Sequence, residues 1–191
     1  DFVISNPPFG IDWKREASVV EAEHKKGEAG RFAPGLPSKS DGQMLFLMNG
    51  VKKLKDTGRM AIIQNGSSLF TGDAGSGQSE IRRYLIENDW LDAIVQLPND
   101  SFYNTGIATY IWIVNKDKPQ ERKGKVQLID ASKCCQSRRK SIGNKRVDIA
   151  KNSRDMIVQA YGEYRTETYE GTEEDGKPIV CKSKILDGVS L

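Results

Sequence analysis

Short apolar runs, separated by loops and by segments of helical periodicity, constrain the fold of this chain more than any other feature of its sequence. The runs are Phe2–Ile4, Arg59–Ile63, Ala93–Leu97 and Ala108–Val114. Runs this short that are apolar at nearly every position are typical of strands covered on both faces. Their alternation with helical segments predicts an α/β fold around a buried sheet, in which Phe2–Ile4 is a buried strand.

Two helices are predicted between these runs. The first follows Ser40–Gln43, which has the S-x-x-Q form of a capping box and precedes a stripe of apolar residues at helical spacing. The second extends from about Gln78 to Asn88. Two further elements are expected downstream, a strand at Val126–Ile129 on an edge of the sheet and a short helix at Met156–Tyr161.

The net charge is too small for a protein that coats nucleic acid through its overall positive charge alone. Lys and Arg number 29 and Asp and Glu 26 among the 191 residues, so the net charge is +3 with the one histidine neutral. The charge is divided between a basic block at 133–154 and an acidic segment at 163–175. The basic block fits a surface for DNA phosphates and a simple solvated face equally well.

Cysteine usage and hydropathy bear on the compartment. Cys134, Cys135 and Cys181 are odd in number and lack the spacing of a disulfide framework, which favours reducing surroundings. No apolar run approaches the roughly 20 residues of a transmembrane helix, and the first residues lack the features of a signal peptide. We therefore expect a soluble, cytoplasmic chain with no membrane partner.

The tetrapeptide Asn6-Pro7-Pro8-Phe9 follows the first apolar run almost directly. Two prolines end a strand, because proline lacks the N–H that ladder pairing needs. A simple turn, however, does not require the flanking Asn and aromatic residue. An N-P-P-aromatic sequence should arise by chance in a chain of this length only on the order of a few times in a thousand. The motif therefore favours a functional interpretation.

This motif resembles the catalytic [D/N/S]-P-P-[Y/F/W] motif of the N6-adenine DNA methyltransferases, which ends the fourth strand of their Rossmann-like sheet. Further segments resemble, in the same order, the modification subunit of type I restriction systems. They are Arg31–Ser40, Gln43–Phe46, Gly58–Ile63, Asn65–Gly66, Glu80–Glu87, Leu97–Asn99, Thr105–Thr109 and Ile129–Ser132. We interpret residues 1–161 as the C-terminal part of such a methyltransferase domain, and 162–191 as an acidic extension of unclear structure.

The resemblance implies transfer of a methyl group from S-adenosylmethionine to N6 of adenine in DNA. The N6 lone pair is delocalised into the ring, so it must be localised before an in-line displacement at the methyl carbon. The Asn6 side-chain oxygen and the Pro7 carbonyl are the expected acceptors for the N6 hydrogens, and Pro7 and Pro8 stiffen the backbone there. Phe9 is expected to contact a base extruded from the duplex, which Phe102 or Tyr103 would cover.

The resemblance also defines what this sequence does not contain. The family carries a glycine-rich F-x-G-x-G-like loop and an acidic ribose-binding residue ahead of the catalytic motif, and neither has a counterpart here. We therefore expect a class I methyltransferase sheet truncated before its fourth strand, with only Asn6 and Pro7 of the cofactor site present and no metal. DNA and the family's separate specificity and restriction subunits are the expected partners.

Other features carry weaker hypotheses. Residues 12–40 are polar and rich in Gly and Pro, which predicts a long mobile excursion. Gly72–Ser79 resembles a phosphate-binding loop before a helix, but Gln78 stands where the phosphate-binding Lys belongs. A flexible connection is the first interpretation of that loop and a DNA-phosphate contact the second. His24 has no sequence partners that indicate a metal site or a catalytic triad.

Two alternative functions remain open. Protein-glutamine and RNA-base methyltransferases use the same tetrapeptide, because amide and amine nitrogens present the same lone-pair problem. The second alternative is a non-catalytic docking fragment, because most of the cofactor site is absent from the sequence.

Overall fold

A computed structural model describes residues 1–188, and these residues follow the predicted alternation of strands and helices. The strands are β1 Phe2–Ser5, β2 Arg59–Asn65, β3 Leu91–Gln96, β4 Thr109–Asn115, β5 Lys125–Asp130, β6 Gln136–Ile142, β7 Lys145–Asp148, β8 Glu167–Thr172 and β9 Pro178–Asp187. The helices are α1 Ala17–His24, α2 Gln43–Lys53, α3 Ser67–Phe70, α4 Gly77–Glu87 and α5 Lys151–Glu163. The last three residues of the acidic extension, 189–191, lie outside the described residues.

The first of two compact units contains residues 1–91 and 112–123. Its strand order is β1-β2-β4, and β1 runs parallel to β2 with Phe2 opposite Arg59 and Ser5 opposite Ile62. The Met-rich stripe of α2 is core, as its helical spacing predicts. Met48 and Val51 are completely buried there, and Met60 of β2 is 2% exposed.

β1 is not the buried strand that its sequence predicts. Phe2 is 79% and Ile4 89% exposed. Within the described residues, β1 is the terminal strand of its order and pairs along one edge only. The apolar run therefore predicts the strand correctly, but no described element covers the side chains of Phe2 and Ile4.

The start of α2 also differs from the prediction. The N-cap residue is Gly42, which has no side chain, and the Ser40 hydroxyl lies 2.8 Å from that of Ser38. Asp41 takes the expected role of Ser40, because its Oδ1 accepts the backbone N–H of Gln43 at 3.1 Å. The Gln43 side chain is consequently free to point to β2 instead of folding back on the helix start.

The second unit contains residues 92–111 and those from Gly124 onward. Its strand order is β4-β3-β5-β9-β8; β3 and β5 are parallel, and β9 is antiparallel to both β5 and β8. The expectation that Val126–Ile129 forms an edge strand is wrong, because every residue of β5 pairs with β9, from Lys125 opposite Asp187 to Asp130 opposite Lys182. β9 comes from the acidic extension, more than 50 residues later in the sequence.

The basic block forms a β-hairpin and the start of a helix. β6 and β7 are antiparallel, with Ile142 opposite Lys145 across the Gly143-Asn144 turn. The helix expected at Met156–Tyr161 is longer than its sequence pattern indicates and begins at Lys151. Among residues 1–188, no helix is both long and apolar enough to cross a bilayer.

A carboxylate from the acidic segment caps α5. Glu173, in the β8–β9 turn, is 3% exposed and accepts the backbone N–H of Ser153 at 2.8 Å and of Asn152 at 3.2 Å. Burial raises the pKa of Glu173, but the hydrogen bonds from Ser153 and the neighbouring backbone N–H groups lower it more, so the net shift is downward. Glu173 is therefore ionised, and its carboxylate accepts backbone N–H groups that have no partner within the first turn of α5.

We predict that Glu173→Gln lowers the free energy of unfolding at neutral pH by about 1–3 kcal/mol, because a buried charged acceptor is lost. The pKa of Glu173 in the folded chain lies below the ordinary value of 4.5, so its ionised carboxylate stabilises the fold fully at pH values above 4.5. This stabilisation is lost as the pH falls through the folded pKa. The parent chain should therefore lose more stability than the variant as pH falls below about 5.

Urea unfolding at several pH values measures this difference. Glu174→Gln is the matched control, because Glu174 is the exposed neighbour of Glu173 in the same turn. Equal pH dependence in the parent and in Glu173→Gln would contradict the assigned role.

Candidate functional site

The motif Asn6–Phe9 leaves the carboxyl end of β1 in the first unit. Because β1 and β2 are parallel, their carboxyl ends lie at the same edge of the sheet, where ligands bind in open α/β sheets. Asn6 is exposed, Pro7 is buried and Phe9 is half-buried. The side-chain amide of Asn6 is thus accessible at this edge, while the proline behind it is held by packing.

The chain following the motif is anchored to the segment before α2. The backbone N–H of Trp13 donates to the Lys39 carbonyl at 3.0 Å, and Gly42 donates to the Ile11 carbonyl at 2.9 Å. The Trp13 indole, 5% exposed, donates to the Ser38 carbonyl at 2.9 Å. These bonds fix the downstream end of the motif loop against residues 38–42.

A polar network joins that segment to the carboxyl end of β2. The Gln43 amide nitrogen lies 2.8 Å from Asn65 Oδ1, 2.9 Å from Ser67 Oγ and 3.0 Å from Asp41 Oδ2. Its oxygen accepts the backbone N–H of Asn65 at 2.8 Å, and Ser67 donates to Asp41 at 2.7 Å. Gln43 is 2% exposed. The network therefore locks the first turn of α2 to the sheet edge that carries the motif.

Sequence reasoning missed Asp41 and Gln43 as site-supporting residues. Both lie in the segment interpreted as a capping box, so the pattern located them but assigned them only a local role. Their partners Asn65 and Ser67 are more than 20 residues away, and neither position has a helical or strand periodicity that links it to Gln43.

The region 12–40 contains regular structure and its own polar contacts. It includes α1 and a 3₁₀ turn at Gly27–Ala29. His24 Nδ1 donates to the Phe32 carbonyl at 2.6 Å, and Glu23 lies 2.9 Å from Lys26 Nζ and 3.6 Å from Arg31 Nε. The contact of His24 is thus structural, and mobility of this region stays a prediction.

The glycine-rich loop Gly72–Ser79 is explained by packing. A Cβ atom on Gly77 would lie 1.7 Å from the Leu36 carbonyl oxygen, so only glycine allows the two backbones to approach this closely. The helix α4 that follows is capped locally, because Ser76 Oγ accepts the N–H of Ser79 at 3.4 Å. These contacts favour a structural connection over a phosphate site.

Phe102 and Tyr103 lie in the second unit, in the loop between β3 and β4. Phe102 is half-buried and forms an isolated bridge with Thr105, whereas Tyr103 is 65% exposed. Asn6–Phe9 and these two aromatic residues therefore belong to different units, and each group has its own local support.

The β6–β7 hairpin holds the loop that carries the two aromatic residues. Asn144 N–H donates to the Tyr103 carbonyl and Arg146 N–H to the Asp100 carbonyl, both at 2.9 Å. Gly143 has φ +57°, and a Cβ there would lie 2.6 Å from the Tyr103 oxygen and 2.9 Å from its ring. The turn of the hairpin thus packs directly against Tyr103. Gly143-Asn144 is a turn signal in the sequence, but the sequence does not indicate that this turn packs against Tyr103.

We predict that Gln43→Met lowers the free energy of unfolding by about 2–4 kcal/mol, because the Asn65 N–H and the Asp41 carboxylate lose buried partners. Urea unfolding measures the loss. Gln159→Met is the matched control, since Gln159 is exposed and its side chain donates to Glu163 at the surface of α5. A loss no larger than that of the control would show that the network does not hold the sheet edge.

We predict that Gly143→Ala is more disruptive than the same change at Gly176. Both glycines have positive φ, +57° and +79°, but a Cβ on Gly176 meets no atom within 4 Å. Gly176→Ala should cost about 1–2 kcal/mol from backbone strain alone, and Gly143→Ala should cost more because Tyr103 must move. Hydrogen exchange of the Asn144 amide, faster only in Gly143→Ala, reports that movement; unchanged exchange would contradict it.

Comparison with known proteins bears out the resemblance drawn from the motifs. A sequence model of the family N-6 DNA Methylase matches residues 1–188, and the match therefore extends through β8 and β9. The MpnII methylase subunit, a type I restriction enzyme subunit from Mycoplasma pneumoniae, is 33% identical over 135 residues, which cover 69% of this chain and 23% of that protein. The chain spans about a quarter of the length of the curated relatives it matches.

Solved structures share the fold. The type I restriction-modification methyltransferase subunit from Streptococcus thermophilus superimposes with a TM-score of 0.74 at 24% identity, over 99% of this chain and 34% of that chain. A putative class I S-adenosylmethionine-dependent methyltransferase from Listeria monocytogenes gives 0.51 at 16% identity, over 85% and 42%. The predicted class I methyltransferase fold is confirmed. The chain belongs to the N-6 DNA methylase family.

Proposed function

We propose that this chain supplies the catalytic edge of a type I modification methyltransferase that acts on N6 of adenine in DNA, with S-adenosylmethionine as the methyl donor. The observation that carries the proposal is the Asn6-Pro7-Pro8-Phe9 motif at the carboxyl end of β1, with Asn6 exposed and Pro7 buried. Membership of the N-6 DNA methylase family supports it.

Asn6 and Pro7 would direct the nucleophile. The Asn6 Oδ1 and the Pro7 carbonyl accept the two hydrogens of N6, which turns its lone pair out of the ring and toward the methyl carbon. S-adenosylmethionine supplies a methyl group on a positively charged sulfur, which leaves as a neutral thioether with the electrons of the broken C–S bond. N6 gains the N–C bond and releases one proton. Pro7 and Pro8 fix φ, so the carbonyl needs no reorganisation during the step.

The aromatic residues would hold the adenine outside the duplex. The methyl donor does not reach N6 within stacked base pairs, so the nucleotide must be extruded. Phe9 offers a flat face next to the acceptors, and either Phe102 or Tyr103 covers the base. The hydrogen bonds from Asn144 and Arg146 to their loop support this role, since a loop that covers a base has to hold its position.

Of the residues that would bind S-adenosylmethionine, this chain would supply only those next to its methyl group. Asn6 and Pro7 lie at the ligand-binding edge, but the sequence contains no glycine-rich cofactor loop and no acidic ribose-binding residue of the family pattern. The exposed Phe2 and Ile4 on β1 support a larger sheet in the working enzyme. We propose that the remaining cofactor contacts belong to that part of the sheet.

The proposed partners are DNA, a specificity subunit and a restriction subunit in the cytoplasm. The MpnII methylase subunit and the Streptococcus thermophilus methyltransferase subunit belong to type I restriction systems, which supports an assembly. Cys134, Cys135 and Cys181 are all free thiols, as befits a reducing compartment.

We predict that Asn6→Ala lowers the rate of methyl transfer by about a hundredfold to a thousandfold, because one of two oriented acceptors is lost. Asn6→Asp keeps an acceptor oxygen and should retain more of the rate. The measurement is transfer of labelled methyl groups to duplex DNA by the full-length protein assembled with its specificity subunit. Asn88→Ala, an exposed asparagine at the end of α4, is the control.

Undiminished transfer by Asn6→Ala would contradict the assignment of the motif. Parallel assays with RNA and with a glutamine-bearing protein substrate separate the alternatives. A preference for either of those substrates over DNA would overturn the DNA assignment.

A further inference from the structure

We propose that the β6–β7 hairpin, residues 136–148, binds the phosphate backbone of DNA next to the target adenine. This inference rests on the proposed function, because the hairpin supports the loop that is assigned to cover the extruded base. It adds a DNA-contacting surface formed by the side chains of Arg139, Lys140 and Arg146.

The hairpin carries more positive charge than its own structure neutralises. It contains five cationic side chains, Arg138, Arg139, Lys140, Lys145 and Arg146, and one acidic residue, Asp148. Asp148 is shared by Arg138 at 2.6 Å and Lys145 at 2.9 Å. Arg139, Lys140 and Arg146 are exposed and have no ion-pair partner among the described residues. Three cations are therefore available on two adjacent strands.

A nearby anion would stabilise this arrangement. Like charges on neighbouring strands repel each other, and solvated faces usually intersperse both signs. A linear array of phosphates neutralises several cations at once and releases the counterions condensed on the DNA. The charge pattern of this surface therefore fits a polyanion better than solvent alone.

A cavity lies between the hairpin, the start of α5 and the aromatic loop. Its volume is about 560 Å³, and its charged lining residues are Lys145, Lys151, Arg154, Asp148 and Glu174, with Ser101 and Phe102 contributed by the loop. The N-terminus of α5, at the same cavity, is not the anion site, because Glu173 already accepts its backbone N–H groups. Lys145 and Lys151 are ion-paired with Asp148 and Asp155, so the hairpin cations Arg139, Lys140 and Arg146 are the groups that remain to bind phosphates.

Backbone hydrogen bonds couple the cations to the loop. Arg146 donates its N–H to Asp100, and Asn144 to Tyr103, so the strand that presents Arg146 is joined to the loop along its outer edge. Extrusion of a base rotates its nucleotide out of the helix, and the neighbouring phosphates must be held meanwhile. A phosphate bound by the hairpin would thus also position the loop that receives the base.

The test compares two triple variants of the full-length protein, assembled with its specificity subunit, by fluorescence anisotropy with a short fluorescein-labelled DNA duplex over a series of salt concentrations. One variant combines Arg139→Ala, Lys140→Ala and Arg146→Ala. The control combines Lys53→Ala, Lys123→Ala and Lys184→Ala, which removes the same charge from exposed lysines outside the hairpin.

The hairpin variant should bind at least tenfold more weakly at low salt, and the slope of log K against log salt should fall by about 2–3, near 0.9 for each lost phosphate contact. The control should retain the slope of the parent. A duplex with uncharged methylphosphonate linkages should bind parent and hairpin variant alike. Thermal unfolding of both variants checks that the fold is kept.

An unchanged slope in the hairpin variant, an equal loss in the control, or no salt-dependent binding by the parent would each overturn the proposal. Tighter binding of duplex RNA than of DNA would overturn the choice of partner. The assay measures binding without methyl transfer, so its outcome is independent of the Asn6 experiment, which tests the proposed reaction.

Discussion

Parallel pairing of β1 with β2 determines where the chemistry of the first unit can lie. Because the two strands end at the same edge, the loop after β1 and the loop after β2 emerge together. The motif loop is bonded to the segment before α2, and Gln43 joins that segment to the carboxyl end of β2. The network around Gln43 then fixes α2 against that edge. A single buried amide with partners on two elements therefore holds in place the surroundings of the Asn6-Pro7-Pro8-Phe9 motif.

In the second unit, backbone hydrogen bonds and a buried carboxylate hold a loop and a helix in place. The hairpin holds the aromatic loop through main-chain N–H groups, which are independent of side-chain identity, and Glu173 anchors the start of α5. Hydrogen bonds to a charged acceptor are stronger than those between neutral groups. The acidic segment thus has an internal structural role in addition to any role of its exposed residues.

Local patterns were sufficient for part of this structure. Periodicity located the first four strands, α2 and α4, because each depends on residues close in sequence. The edge position expected for β5 was wrong because its partner β9 comes from a charged segment without a strong strand pattern. The burial expected for β1 was wrong because apolar composition describes a strand's preference and not whether a neighbour is present to cover it.

The residues of the candidate site were likewise predictable from the sequence only in part. The motif was recognisable because a simple turn does not require the Asn and the aromatic residue that flank the two prolines. The roles of Gln43 and Gly143 were not, because each depends on a contact with a residue far along the sequence, Asn65 in one case and Tyr103 in the other. Glu173 was hidden for another reason: a carboxylate in a run of acidic residues has the appearance of a solvated surface.

The uncovered β1 has a consequence for the behaviour of the chain in isolation. Among the residues that the structure describes, β1 has one unpaired edge and exposed apolar side chains, which makes it a template for strand addition. Phe2–Ser5 contains no proline or lysine that would block a second strand. Copies of the chain at high concentration would compete for that edge. In the larger sheet that we propose, a neighbouring strand would therefore also protect β1 from self-association.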